Sequence, residues 1–168
     1  MQRHSIRPAT ANDVPTILRF IRELAEYERE PHAVLATGQD IHDALFCGSP
    51  LTFALMCERP GDGEQRPLCI GFAIFFYNFS TWLGKHGIFL EDLYVTPEAR
   101  GAGAGKALLK ALARRARDEG CGRFEWNVLK WNTPSIAFYE ACGARGLDEW
   151  VGYRMDRAAI EAFASSPD

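Results

Sequence analysis

Three apolar, strand-like runs follow one another at residues 51–57, 68–77 and 88–95, and the connections between them are too short to hold crossover helices. Such a run is an antiparallel meander, and the rest of the chain has to pack around it. The first connection, Arg59-Pro60-Gly61-Asp62-Gly63-Glu64, has turn chemistry and almost nothing to bury. The second, residues 78–87, is polar and aromatic with Gly84 and reads as a loop. Pro97 ends the third strand because it has no N–H to give to a ladder.

Helical patterns lie on both sides of the meander. After a short strand at 5–8, Thr10 and Asp13 have capping-box spacing, and Ile17, Leu18, Ile21, Leu24 and Ala25 recur at helical spacing up to Tyr27 and Glu28. Thr37 and Asp40 repeat the cap before a shorter helix through Ile41, Ala44 and Leu45 to Gly48. Beyond Pro97, Ala104, Ala107, Leu108, Leu112, Ala113 and Ala116 make a helical stripe that stops at Gly120. A strand is expected at 124–129, and then a helix at 136–142 with Thr133 as cap, Pro134 at its first position and Gly143 as its stop. Residues 150–155 read as a closing strand, with one more short strand near Leu147. The order is that of an α+β (mixed α/β) fold.

A chain of 168 residues suits one domain, 1–168. A formal charge of −3 lacks the excess of Lys and Arg that a nucleic-acid grip needs. The five cysteines, 47, 57, 69, 121 and 142, are odd in number and contain no CxxC pair, as expected of reduced thiols in a cytoplasmic protein. His4, His32, His42 and His86 are scattered, so no metal site is expected. Residues 1–8 hold no signal-peptide run, and no uncharged apolar stretch approaches the ~20 residues of a membrane span.

The segment Arg100-Gly101-Ala102-Gly103-Ala104-Gly105-Lys106 lies between a predicted strand and a predicted helix. Backbone N–H groups and a positive helix end hold phosphate-like anions at such a place, and glycine lets the main chain come close. A Walker A loop is excluded, because Arg100 stands where its first glycine belongs and Ala107 where Ser or Thr does. A dinucleotide fingerprint would need glycine at Lys106 or Leu108.

The remaining pattern, Arg-x-x-Gly-x-Gly on Arg100, Gly103 and Gly105, resembles the pyrophosphate loop of the GNAT N-acetyltransferases. Ile6-Arg7-Pro8-Ala9-Thr10, Leu24-Ala25-Glu26-Tyr27-Glu28, Gly71-Phe72-Ala73, Leu90-Glu91-Asp92-Leu93-Tyr94-Val95, Trp131-Asn132, Pro134-Ser135 and Phe138-Tyr139 extend the likeness to the diamine (spermidine/spermine) branch. The resemblance implies a central mixed sheet splayed between its central strands and flanked by helices, acetyl-CoA as cosubstrate, a small-molecule amine as acceptor, and a homodimer.

Residue by residue, the resemblance implies catalytic roles for Glu91, taking the ammonium proton through water, and for Tyr139, protonating the departing thiolate. A tyrosine with pKa about 10 can give that proton. Packing on the sheet is the plain alternative for Tyr139, and solvent or a bulge donor for Glu91. Main-chain groups of Leu93, Tyr94 and Val95 would meet the pantetheine, residues 100–106 the diphosphate, and Asn132, Pro134 and Ser135 the cofactor arm. Lys106 also reads as a solvated helix start, and Asn132 as an ordinary cap. For the acceptor, the likeness points to Tyr27, Glu28, Trp82, Glu91 and Asp92, with Glu125, Trp126 and Asn127 across the split. Glu28 otherwise belongs to a charged helix end and Trp126 to the core. Trp150-Val151 and Lys130 replace acidic residues of the polyamine pattern, which widens the acceptor to a lysine analogue or another diamine. A silent acetyl-CoA sensor and a transferase acting on peptide amines remain alternatives.

Overall fold

The computed structural model describes residues 4–61 and 66–167, so half of the turn expected at 59–64 lies outside the described residues. The chain forms two compact units, 1–127 and 128–168. In the first, β1 (Ser5–Pro8), α1 (Val14–Tyr27), α2 (Gly38–Phe46), β2 (Thr52–Arg59), β3 (Leu68–Ser80), β4 (Lys85–Val95), α3 (Ala104–Asp118) and β5 (Arg123–Trp126) follow in order. The sheet order is β1-β2-β3-β4-β5. The meander is present, with β2, β3 and β4 antiparallel, while β5 joins β4 in parallel and makes the sheet mixed.

The expected caps sit where their spacing put them. Asp13 accepts from the Thr10 amide at 2.8 Å, and Asp40 from the Thr37 amide at 2.7 Å. Asp13 also takes both terminal nitrogens of Arg7, whose Nε reaches Glu58 at 2.7 Å. Arg7 thereby ties β1 to the start of α1 and to β2, and its guanidinium holds the Asp13 carboxyl down at about 2.

Residues 70–75 of β3 are buried without a break, the mark of a strand covered on both faces. Ile17 and Phe20 of α1 pack with Met56, Phe72, Ile74 and Tyr94. Leu108 and Leu112 give α3 its buried stripe against β2, β3 and β4.

The segment expected to be a loop at 78–87 is instead mostly strand. Asn78 pairs with Gly87 and Phe79 with His86, leaving a tight turn around Gly84 at φ +60°. The Phe79 and His86 rings meet at 5.3 Å, and the Ser80 hydroxyl accepts the Leu83 amide at 3.2 Å. Polar and aromatic side chains mask a hairpin from hydrophobic pattern alone, because one face of the ribbon is wet.

In the second unit, α4 (Thr133–Ala141) and α5 (Arg157–Ala164) are the regular elements. The α4 cap is Asn132 and not Thr133: its side-chain oxygen accepts the Ser135 amide at 3.3 Å. The closing strand expected at 150–155, and the short one near Leu147, do not form, since neither segment has a ladder partner among the described residues. Trp150, Val151 and Tyr153 are 65%, 74% and 95% exposed. The chain continues into α5, whose cap Asp156 accepts the Ala159 amide at 2.8 Å.

Candidate active site

The parallel ladder between β4 and β5 runs from Gly87 opposite Arg123 to Leu90 opposite Trp126, where β5 ends. β4 continues through Val95 with β3 alone beside it, so the sheet opens after Leu90. The opening is marked by a bulge: Ile74 faces Asp92 and Phe75 faces Leu90, which leaves Glu91 as the extra residue. A bulge re-aims side chains locally, and here it sends Glu91 to solvent while Asp92 is half-buried. The Asp92 carboxyl is pushed up to about 6, first by burial and then by the charges of Glu91 and Glu28. Burial also raises Glu28, just past the end of α1. Two poorly solvated carboxyl groups and a third exposed one therefore share the mouth of the split.

Leu93, Tyr94 and Val95 pair with Ala73, Phe72 and Gly71 on one side, and their other edge faces the opening. Gly71 is required there, because a Cβ on it would come within 2.6 Å of Tyr94 O. The Tyr94 hydroxyl donates to Glu23 of α1 at 2.8 Å, which fixes the strand against the helix.

Beyond Val95, a short 3-10 turn, Pro97–Ala99, leads into the glycine segment. Gly101 and Gly103 take φ of +77° and +91°, a region that disfavours side chains, and Gly103 caps α3. The first helical hydrogen bond is Ala107 N–H to Gly103 O at 2.9 Å. The amides of Ala104, Gly105 and Lys106 precede it and have no intrahelical acceptor. No acid stands in this first turn, and Lys106 is exposed beside it. The turn has the donors, the dipole and the closeness that a diphosphate needs.

Two side chains act on this turn in ways the sequence did not disclose. His4 Nε2 bonds Ala102 O at 2.8 Å from the far end of the chain, a contact with no local signal. Arg100 does not extend from the loop; its Nε donates to Val95 O at 3.0 Å, and its guanidinium lies over the Tyr27 and Tyr94 rings.

The acceptor-side residues separate. Tyr27, Glu28, Glu91 and Asp92 gather near the opening, with Trp126 at its base and Asn127 just beyond it. Trp126 packs edge-on against Phe124 at 5.0 Å. Glu125 is engaged by Arg123 at 2.7 Å and by Asn78 at 2.9 Å. Trp82, 88% exposed, sits in the β3–β4 turn, on the order of 20 Å along β4 from Glu91 and away from the group. Asn132, Pro134, Ser135 and Tyr139 belong to the second unit, where the Tyr139 ring meets Phe138 at 5.2 Å and Asn132 is 5% exposed.

One trio of metal-ligand residue types occurs among the described residues, His42, Asp43 and Cys47, at the end of α2. Its atoms contact each other: the Cys47 thiol donates to Asp43 Oδ1 at 3.3 Å, which raises the thiol pKa. No helix among the described residues is long and apolar enough to cross a membrane.

Residues 18–144 match the model of the acetyltransferase (GNAT) family. The chain is 38% identical over 164 residues to the thialysine N-epsilon-acetyltransferase of Sus scrofa, covering 95% of this chain and 96% of that protein. It is 36% identical over 160 residues to the spermidine/spermine N(1)-acetyltransferase-like protein 1 of Homo sapiens, covering 94% of this chain and 23% of that longer one. Among solved structures, an integron cassette protein from the mobile metagenome of V. cholerae superposes with a TM-score of 0.76 at 24% identity, over 97% of this chain and 98% of that one.

Proposed function

The chain is a member of the acetyltransferase (GNAT) family, an N-acetyltransferase that draws its acetyl group from acetyl-CoA, and we propose that its acceptor is the primary amine of a small lysine-like molecule or diamine. The observation that carries this reading is the split after Leu90, with Glu91, Asp92 and Glu28 at its mouth and the glycine turn beyond its β4 edge. Poorly solvated carboxylates stabilise an ammonium, and the adjacent amides suit a diphosphate. One relative named a thialysine N-epsilon-acetyltransferase and another named as spermidine/spermine N(1)-acetyltransferase-like support an acceptor of this size and charge.

An ammonium has no lone pair, so the acceptor must first lose a proton. In the proposed reaction Glu91, exposed at the bulge, takes it through water, and Asp92 with Glu28 holds the cationic end of the acceptor. The free amine attacks the thioester carbonyl, the C–N bond forms, the attacking nitrogen gives up its second proton to water, and the C–S bond breaks. Tyr139 gives its phenolic proton to the departing thiolate and is reprotonated from solvent. Main-chain groups of Leu93, Tyr94 and Val95 receive the pantetheine, residues 100–106 the diphosphate, and Asn132, Pro134 and Ser135 the cofactor arm. Trp126, Asn127 and Glu125 line the acceptor's far side. Trp82 acts there only across a subunit boundary.

A homodimer is part of this reading, supported by the exposed Trp150, Val151, Tyr153, Met155, Ile160 and Phe163 of the second unit. Five unpaired cysteines suit a cytoplasmic setting.

The test is incubation with acetyl-CoA and, separately, thialysine, ornithine, spermidine and a lysine-containing peptide, reading free thiol. Release with the small amines alone is expected. Tight CoA binding with no amine-dependent release would make the protein a sensor, and release with the peptide alone would make it a protein acetyltransferase.

A further inference from the structure

The end of α2 brings three metal-ligating side chains to one point, and none of them is assigned to the cofactor or the acceptor. His42 Nδ1 lies 3.4 Å from Asp43 Oδ1 and 3.5 Å from Cys47 Sγ, and Cys47 Sγ lies 3.3 Å from Asp43 Oδ1. In an unbroken helix, positions 42 and 47 would stand about 140° apart around the axis. Here α2 ends at Phe46, and Cys47 takes extended backbone angles, φ −98° and ψ 142°, so its sulfur folds back to the His42 ring. Gln39 Nε2 donates to Asp43 Oδ1 at 2.8 Å, and the His42 ring meets that of Phe46 at 5.9 Å. These two contacts orient the carboxylate and the imidazole, as outer partners do around a bound metal.

The three separations match one face of a tetrahedron around zinc. Bonds of about 2.3 Å from sulfur and about 2.0–2.1 Å from nitrogen or oxygen give edges of about 3.4 Å for N···O and about 3.6 Å for S···N and S···O. The observed edges differ from these by no more than about 0.3 Å. Charge fits as well, because a thiolate and a carboxylate neutralise a dication while imidazole binds it in its neutral form. The trio stands at the negative end of α2, and no basic residue occupies that last turn to repel a cation. Asp43 and Cys47 are exposed, which gives an ion and its water access from solvent. We propose that His42 Nδ1, Asp43 Oδ1 and Cys47 Sγ form a tetrahedral Zn2+ site with water as the fourth ligand. On binding, the thiol proton that Cys47 otherwise donates to Asp43 passes to solvent, and a Zn–S bond replaces the S–H bond.

The test uses the full chain, reduced and stripped with a chelator, then titrated with Zn2+ against a chromophoric chelator and with Co2+ as a spectroscopic stand-in. The wild type is expected to give the thiolate-to-cobalt charge-transfer band and the strong visible absorption of a four-coordinate site. Cys47→Ala is expected to lose the charge-transfer band. His42→Ala and Asp43→Asn are each expected to weaken Zn2+ binding at least about tenfold, the lower end of what losing even an outer partner costs. These two variants keep the proposal testable should Cys47→Ala not fold. Cys142→Ser removes the other exposed thiol and is expected to change neither the spectrum nor the affinity. A wild-type spectrum without the charge-transfer band overturns the proposal, as does a band that survives Cys47→Ala or depends on Cys142. Zn2+ affinity unaltered by either His42→Ala or Asp43→Asn overturns it too. None of these readings requires acetyl transfer, so they stand or fall apart from the proposed reaction.

Discussion

In the proposed reaction Asp92 is the residue at which stability and function pull in opposite directions. Its folded carboxyl titrates at about 6 against an ordinary value of 3.8, so the folded chain holds that proton more tightly than the unfolded chain does. The group therefore favours folding below pH 4, and that contribution is lost as pH rises through about 6. At pH 7.5 Asp92→Asn should gain about 1–3 kcal/mol, or roughly 2–4 °C in Tm per kcal/mol, and at pH 4 almost nothing. The same variant should bind the amine more weakly. Thermal melts across pH check the first part, and an Asn variant no more stable at pH 7.5 than the wild type contradicts it. Tyr139→Phe keeps the ring against Phe138 and removes only the proton donor. Turnover is expected to fall at least about tenfold with acetyl-CoA affinity little changed, and an unaltered rate would take Tyr139 out of the chemistry.

Among the elements, those with local chemical punctuation were legible and those defined by long-range pairing were not. Thr10, Asp13, Thr37 and Asp40 announce two helix starts, and the Gly103 region a third, because caps and left-handed glycines are local requirements. Residues 78–87 misled because their register depends on cross-strand partners such as Asn78 with Gly87. Residues 150–155 misled for the complementary reason: alternating apolar side chains permit a strand, but only a partner edge makes one. Gly71 carries an element-scale expectation. A methyl group there would lie 2.6 Å from Tyr94 O, so Gly71→Ala must push β4 away from β3. Stability should fall by about 1–3 kcal/mol, and acetyl-CoA should bind more weakly because Tyr94 and Val95 move with the strand. Chemical denaturation with parallel cofactor titration checks both, and unchanged affinity would argue against the β4 edge as a pantetheine site.

For the molecule as a whole, the glycine segment was legible as a left-handed turn at a helix start, and the splayed sheet that the resemblance implied is seen where the β5 ladder stops at Leu90. The bulge that separates Glu91 from Asp92 was not legible, because it arises from the register of β3 against β4 and not from either strand alone. Nor were the contacts of Arg100 with Tyr27 and of His4 with Ala102, both of which join points far apart in the chain. These long-range contacts tie the glycine turn to α1 and to the start of the chain. The proposed acetyl transfer depends on the main-chain amides of residues 101–106 receiving the diphosphate of CoA. Amide hydrogen exchange with and without saturating CoA tests this most directly. Strong slowing at 101–106, together with slowing at 93–95, is expected; CoA bound at saturation with exchange at 101–106 unchanged would contradict it.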